Sequence, residues 1–358
     1  MIYDKNRKNP QLDYELFKNP TAEYRGTPFW AWNCDLEKNE LLRQIDIFKE
    51  MGLGGFHMHC RDGMSTTYLS DEFMDLVKAC TDHAKENEML AWLYDEDKWP
   101  SGFAGGYVTK DEQYRMRSIT FTCDPEFKHR ASAYIIASFD VVLDENGCLK
   151  SYKRVNDGDE IEGTRWNVWY EIAGNSPWYN NQAYVDTLNK DAIKKFLEVT
   201  HDRYFDTVGD EFGKTVPAIF TDEPQFTRKS TLAFAASKQN ISLPWTDDLE
   251  ETYTAAYGES LIEHFPELLW DLPDGKVSLT RYHYHDHVSE RFAEAFADTC
   301  GKWCDDHGIA LTGHMMAEAS LHSQTMCIGD CMRSYRSFGI PGIDMLCAYF
   351  EFTTAKQC

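Results

Sequence analysis

A strand–helix rhythm, repeated three times within the first hundred residues, limits this chain to very few folds. An apolar run, Thr27-Pro-Phe-Trp-Ala-Trp-Asn33, is followed by a stretch from Leu36 to Met51 in which Leu41, Leu42, Ile45, Phe48 and Met51 share one helical face. Gly52, Gly54 and Gly55 end it, because glycine tolerates the backbone angles at which helices stop. The run Phe56–Cys60 comes next, then a helix from Ser70, a suitable N-cap, to about Asn87. Met89–Tyr94 forms a third buried strand that closes on Asp95-Glu96-Asp97-Lys98-Trp99-Pro100. Such alternation predicts parallel βα units, since a parallel strand pair needs a long crossover and a helix supplies it while covering the sheet.

The rhythm breaks between about Arg117 and Thr187. Ser118–Cys123, Ala133–Leu143, Gly147–Val155 and Arg165–Ala173 have β-rich patterning, and Asp144-Glu-Asn-Gly147 supplies a hairpin turn. This segment is expected to form an antiparallel insertion after strand three. The alternation then resumes with a helix capped by Asn189 and running to roughly Asp206. A fourth strand, Val216–Thr221, closes on Asp222-Glu223-Pro224. A helical excursion over Leu249–Trp270 and a long helix from Thr280 to about His307 follow. Ile309–Gly313 and Gly342–Ala348 give strands five and six. The expected fold is therefore α/β: a (β/α)8 TIM-type barrel truncated after about six strands, since closure needs eight. Residues 1–116 and 189–358 would supply barrel, residues 117–188 the insertion, and the chain reads as the N-terminal piece of a longer protein.

Charge and composition narrow the function. The formal net charge of −23 repels phosphate, which argues against nucleic acid and anionic membranes as partners. The N-terminus has no apolar segment of a signal peptide, and no run of about 18 apolar residues would span a membrane. Eleven scattered cysteines do not read as a disulfide framework, and the Cys300/Cys304 and Cys327/Cys331 spacings are those of buried thiols. A cytoplasmic location is expected. Aromatic residues make up 14% of the chain, which suits sugar-stacking surfaces and large cores alike.

In barrels of this kind the chemistry sits at the C-terminal ends of the strands. Those ends present Trp30, Trp32 and Asn33, then His57 and His59, then Asp95, Glu96 and Trp99, then Asp222 and Glu223, then His314 and Glu318, and finally Asp344. Glycosidic cleavage needs a carboxylic acid to protonate the leaving oxygen and a second carboxylate to direct water or attack. Glu223 suits the acid, with Pro224 pushing it toward an extended backbone; the alternative is a strand-end acid that pairs with a lysine. Asp222 and Glu223 are adjacent, so strand alternation lets only one face the pocket squarely. His57 and His59 share a face and suit either a metal or sugar hydroxyls. Asp95, Glu96 and Asp97 suit Ca²⁺ or a solvated acidic loop. His283, His285 and His287 cannot share a helical face and are expected at the surface.

Six ordered blocks, PFWAWN (28–33), LLRQIDIFKEMG with GGFHMH (41–59), YDEDKWPSGFAGG (94–106), FTDEP (220–224), HMMAE (314–318) and GIPGID (339–344), resemble glycoside hydrolase family 106, the α-L-rhamnosidases. The resemblance implies an inverting hydrolase of terminal α-L-rhamnose, a barrel with a β insertion, downstream β domains and a calcium ion. It also implies Glu223 as general acid. A second catalytic glutamate is expected beyond Cys358, with Glu318 the candidate inside this chain, and Trp32, His57, His59, Asp95, Glu96, Trp99, Asp222, His314 and Asp344 as substrate-binding residues for a glycoside or oligosaccharide. Two other readings stand beside it: an amidohydrolase-like metal-dependent barrel using His57 and His59 with His314 and Asp344, and a non-catalytic sugar-binding fragment.

Overall fold

The computed structural model describes residues 11, 13–346 and 352–358. After the short helix α1 (Tyr14–Lys18) come β1 (Phe29–Trp32), α2 (Lys38–Glu50), β2 (Gly55–Cys60), α3 (Asp71–Glu86) and β3 (Leu90–Tyr94). The apolar spacing read from the sequence is thus realised within a residue or two, and the Ser70 hydroxyl caps α3 by accepting from the Phe73 amide at 3.2 Å. Four strands then depart from the rhythm: β4 (Arg117–Thr122), β5 (Tyr134–Leu143), β6 (Leu149–Arg154) and β7 (Thr164–Ile172). The βα pattern returns with α4 (Lys190–Val199), α5 (His201–Val208) and β8 (Ala218–Asp222), followed by β9 (Ile241–Trp245), α6 (Leu249–Tyr257), α7 (Leu279–Phe292), α8 (Asp298–His307) and β10 (Ala310–His314). Helices α9 (Leu321–Cys327) and α10 (Cys331–Tyr335) lead to β11 (Ile340–Pro341), and α11 (Phe352–Gln357) closes the described chain.

Strands β1-β2-β3-β8-β10-β11 form one parallel sheet in the order of the chain. Alternation sorts their side chains. Trp30 and Trp32 face the helices, meeting Phe48 at 5.5 Å and Phe73 at 5.7 Å between ring centroids. The other face carries Phe29, His57, His59, Tyr94 and Phe220, with Phe29 packed edge-on to His57, His59 and Phe220. Among the described residues β1 and β11 each pair on one side, so the sheet is an arc and no closed barrel is formed.

The second sheet is antiparallel, ordered β6-β5-β7-β4-β9. Its hairpin turn is the one read from the sequence, with Asp144 Oδ1 accepting from the Asn146 and Cys148 amides at 2.9 Å. Its fifth strand, β9, comes from after β8 and lies outside the expected segment 117–188. Pro244 disguises it, because a proline cannot donate to a ladder; β9 is an edge strand, where that loss is tolerated.

Other expectations need correction. Strand six is β11, two residues long and ending before Gly342; residues 342–346 are irregular, and the remainder of the expected strand lies outside the described residues. The helix expected from Asn189 breaks at Thr200, whose hydroxyl donates to Phe196 O at 2.7 Å. The helix expected over 280–307 is interrupted by a π-helical turn at Ala293–Ala297. The excursion after Leu249 ends at Gly258 and resumes as a 3-10 turn over Ile262–Leu268. His283, His285 and His287 are half-buried rather than at the surface, each facing a different partner: the Tyr257 ring at 4.2 Å, the buried Lys229 amine at 3.0 Å and the Thr252 hydroxyl at 2.9 Å. The ten described cysteines are all free thiols, and Cys300, Cys304, Cys327 and Cys331 are buried. No described helix is long and apolar enough to cross a membrane.

Candidate active site

Parallel register brings the strand ends to one level: His314, the last residue of β10, stands opposite Asp222, the last of β8. Their side chains meet, with His314 Nε2 at 3.2 Å from Asp222 Oδ1. The other carboxylate oxygen, Oδ2, accepts from the Tyr94 hydroxyl at 2.7 Å. His59 stacks on the Tyr94 ring at 4.1 Å, and its Nε2 reaches to 4.0 Å from Asp222 Oδ2. Asp222 is therefore a buried carboxylate with a donor on each oxygen.

Glu223 joins this group because the backbone turns where the strand stops. Its φ is +49°, and its amide donates to His314 O at 3.2 Å. The expected extended conformation is not adopted: Pro224 favours extended backbone at this position, yet the chain takes the left-handed region. That departure ends the alternation, so Asp222 and Glu223 both face the pocket. Glu223 Oε1 lies 3.8 Å from His314 Nε2, while Oε2 accepts from the Trp99 indole N–H at 2.6 Å.

The environments of the two carboxyls diverge. Burial pushes the Glu223 carboxyl up to about 6, with Asp222 and Asp344 adding to the rise against His314 and Trp99. Asp222 also suffers from burial, but His314 and Tyr94 outweigh it and hold its carboxyl below the ordinary range. Burial works against the His314 imidazolium too, and Asp222, Glu223 and Asp344 overcome it and raise its pKa. For His57 and His59 burial dominates and lowers both to about 4. Two adjacent carboxyls held apart in this way provide a proton donor beside an anion.

Asp95 and Glu96 lie beneath the site instead of lining it, both fully buried. The Ser101 hydroxyl links Asp95 Oδ1, at 2.5 Å, to the Asp222 amide, at 2.8 Å. Glu96 accepts from five backbone amides: Gly102, Phe103 and Ala104 on Oε2, and Asp97 and Gly105 on Oε1, at 2.6–3.0 Å. Calcium takes six to eight oxygen ligands. An acidic loop whose glutamate oxygens already hold five N–H groups does not fit that demand. Asp222, Glu223 and His314 are the cluster of described residues whose ligand atoms lie within 4.8 Å of one another, and they offer a nitrogen and two carboxylates, a poor calcium set.

The remaining candidates divide. Trp32, 1% exposed, belongs to the helix-facing core, because it shares its strand face with Trp30. His57 is on the pocket side but one layer deeper, stacked on Trp92 at 4.8 Å. Asp344 Oδ2 is 3.6 Å from His314 Nε2. Glu318 reaches neither Asp222 nor Glu223 by hydrogen bond: one oxygen accepts from the Tyr335 hydroxyl, and the other accepts from the Asp344 amide at 3.1 Å. It holds the loop that carries Asp344. Sequence reading missed Tyr94 and Tyr335, whose hydroxyls anchor Asp222 and Glu318; the tyrosine before Asp95-Glu96 carried no signal beyond strand propensity. It also missed Arg61, Lys98 and Trp178, which line a cleft of about 180 Å³ against Trp99.

A larger cavity, about 610 Å³, opens at the opposite end of the strands among Lys49, Lys85, Glu88 and Lys214. Its charged lining is Glu23, Arg25, Lys49, Lys85, Glu88 and Lys214, and none of the candidate carboxyls or imidazoles lines it.

No protein-family model matches the sequence, and a search of curated proteins gives no match. Among solved structures, a rhamnosidase from Novosphingobium sp. PP1Y matches 90% of this chain with a TM-score of 0.60 at 12% sequence identity. The chain spans about half, 48%, of that protein's length. At this identity the likeness is one of fold: a parallel α/β sheet with an antiparallel companion.

Proposed function

We propose that this chain carries the sugar-cleaving site of a glycoside hydrolase that removes a terminal α-L-rhamnosyl or related unit. On this reading the six-stranded arc is part of a TIM-type barrel supplied by residues 1–116 and 189–358, with residues 117–188 and β9 as its antiparallel insertion. The observation that carries the reading is Glu223: a carboxyl with a pKa near 6, one oxygen held by the Trp99 indole, beside an anionic Asp222 at the ends of parallel strands.

In this mechanism Glu223 protonates the departing glycosidic oxygen, and its raised pKa keeps the proton available near neutral pH. Asp222 stays ionised and stabilises the positive charge that develops at the anomeric carbon. His314, paired with Asp222, helps to hold that carboxylate in its charged form. Asp344, set by the Glu318 carboxylate, is the better placed second carboxylate for directing water, because both Glu318 oxygens are already occupied. The fold likeness to a rhamnosidase supports the sugar class, and the six sequence blocks support rhamnose within it.

The test is hydrolysis of p-nitrophenyl α-L-rhamnoside by the protein and by Glu223→Gln. Loss of a positioned general acid costs about 10²–10⁴ in kcat on substrates whose leaving group needs protonation. Equal rates on a poor leaving group, such as a methyl rhamnoside, would remove Glu223 from the mechanism. A metal-dependent hydrolase is the second reading, favoured by the Asp222–Glu223–His314 cluster and the nearby His59 Nε2, which has no hydrogen-bond partner. Amidase or lactonase activity that chelator removes and Zn²⁺ restores would favour it.

A further inference from the structure

We propose that the Lys229 amine is a nucleophile that forms an imine with a small aldehyde, admitted through the cavity that His285 lines. The site is separate from the strand-end carboxyls and independent of the glycosidase reading: none of Asp222, Glu223 and His314 lines that cavity, which measures about 590 Å³.

Lys229 lies in the connection between β8 and β9, and its backbone is pinned against α9. The Phe226 amide donates to Cys327 O at 3.0 Å, and the Lys229 amide donates to Met326 O at 2.9 Å. The side chain is 3% exposed. Its Nζ sits 5.0 Å from the Phe226 ring centroid, 5.6 Å from that of Tyr284, and 3.0 Å from His285 Nδ1. Both rings are fixed in turn, Phe226 edge-on to Phe292 at 5.6 Å and Tyr284 by its hydroxyl donating to Pro244 O at 2.8 Å. His285, on α7, is the residue common to the amine and the cavity, so rotation of its ring would open one to the other.

A packing role explains the lysine poorly. A buried ammonium is costly unless an anion pairs with it, and Lys229 has no ion pair among the described residues of a protein with net charge −23. Leucine or methionine would fill the same space without that cost. What the arrangement does supply is an uncharged amine: burial pushes it down to about 7. The neighbouring imidazole is lowered to about 3, by burial first and then by Lys229 and Arg281, so it is a neutral acceptor for the amine proton. A desolvated amine beside a base and an open cavity is the arrangement in which lysine attacks carbonyl carbon.

The step is balanced without oxidant or reductant. Nζ attacks the aldehyde carbon, and the C=O π pair moves to oxygen. His285 Nδ1 takes a proton from nitrogen, oxygen gains one, and the hydroxyl leaves as water while the nitrogen lone pair closes the C=N bond. The faces of Phe226 and Tyr284 receive the positive charge that nitrogen carries during the attack.

The experiment exposes the folded full chain to propionaldehyde, traps imines with cyanoborohydride, and reads each lysine by peptide mass spectrometry. An ordinary lysine is less than about 0.1% neutral at pH 7. Lys229 should therefore be labelled at least about tenfold faster at pH 7 than exposed lysines such as Lys150 and Lys190, even after the delay that burial imposes. Its rate should level off above a pH of about 7, while theirs climbs about tenfold per pH unit toward pH 9. His285→Phe, with its melting curve recorded alongside, should slow labelling of Lys229 at least about tenfold by removing the proton acceptor. A Lys229 that stays unlabelled in the folded protein, or reacts only once urea opens the chain, overturns the site. So does a rate that climbs with those of the exposed lysines, or a folded His285→Phe variant that reacts as fast as the parent.

Discussion

At Glu223 one backbone angle determines what the side chain can reach. A residue in the left-handed region costs roughly 1–3 kcal/mol, which the fold sustains where the geometry serves a site. Here it brings two successive carboxyls onto one imidazole. The Trp99 N–H then tunes the acid, because a donor to the carboxylate favours the charged form. As the acid, Glu223 must be protonated, so kcat/KM should decline as pH rises through about 6. Trp99→Phe removes a contact that lowers the Glu223 pKa, so its folded carboxyl should hold the proton to higher pH. The alkaline limb of the pH–rate profile should move upward in the variant, and a limb that stays in place or moves down would sink this account.

The loop between β3 and β4 is built around one side chain. Glu96 holds the amides of Asp97, Gly102, Phe103, Ala104 and Gly105, and this fixes the path on which Trp99 sits. Glu96→Ala would leave the buried amides of Gly102, Phe103 and Ala104 without their acceptor, and a buried unsatisfied group costs about 1–3 kcal/mol. We expect a loss of more than about 3 kcal/mol in a urea or thermal unfolding curve, with faster hydrogen exchange at the amides of 102–105. A variant as stable as the parent would show that the cradle is incidental. Strand pairing has a comparable point at Gly313, φ +137°, where a Cβ would meet Thr221 O at 2.0 Å, so only glycine lets β10 lie against β8 there.

Across the whole molecule, the parallel sheet has two edges that pair on one side among the described residues, and unpaired strand edges are templates for association. Phe29, on the concave face of β1, is 50% exposed. The net charge of −23 opposes association, and salt screens that repulsion. Sedimentation should therefore find concentration-dependent oligomers that grow as salt rises from about 0.05 to 0.5 M, where the Debye length shortens severalfold. A monomer at every concentration and salt level would mean the edges are covered.

The sequence by itself determined the βα order, the caps at Ser70 and Asn189, and the appearance of Asp222, Glu223 and His314 at strand ends. Those features depend on period, capping and turn chemistry within a few residues, and such information is local. Tertiary structure decided the rest. Trp32 and Asp222 both sit at strand ends, but the two faces of a strand are equivalent until a neighbour covers one, so only packing assigns Trp32 to the helices and Asp222 to the pocket. Glu96 reads as an exposed acid until five amides close over it. β9 joins β4 from more than a hundred residues away, and Tyr335 reaches Glu318 across two helices. Pairings at such separations follow from how the layers meet, which no spacing within one segment records.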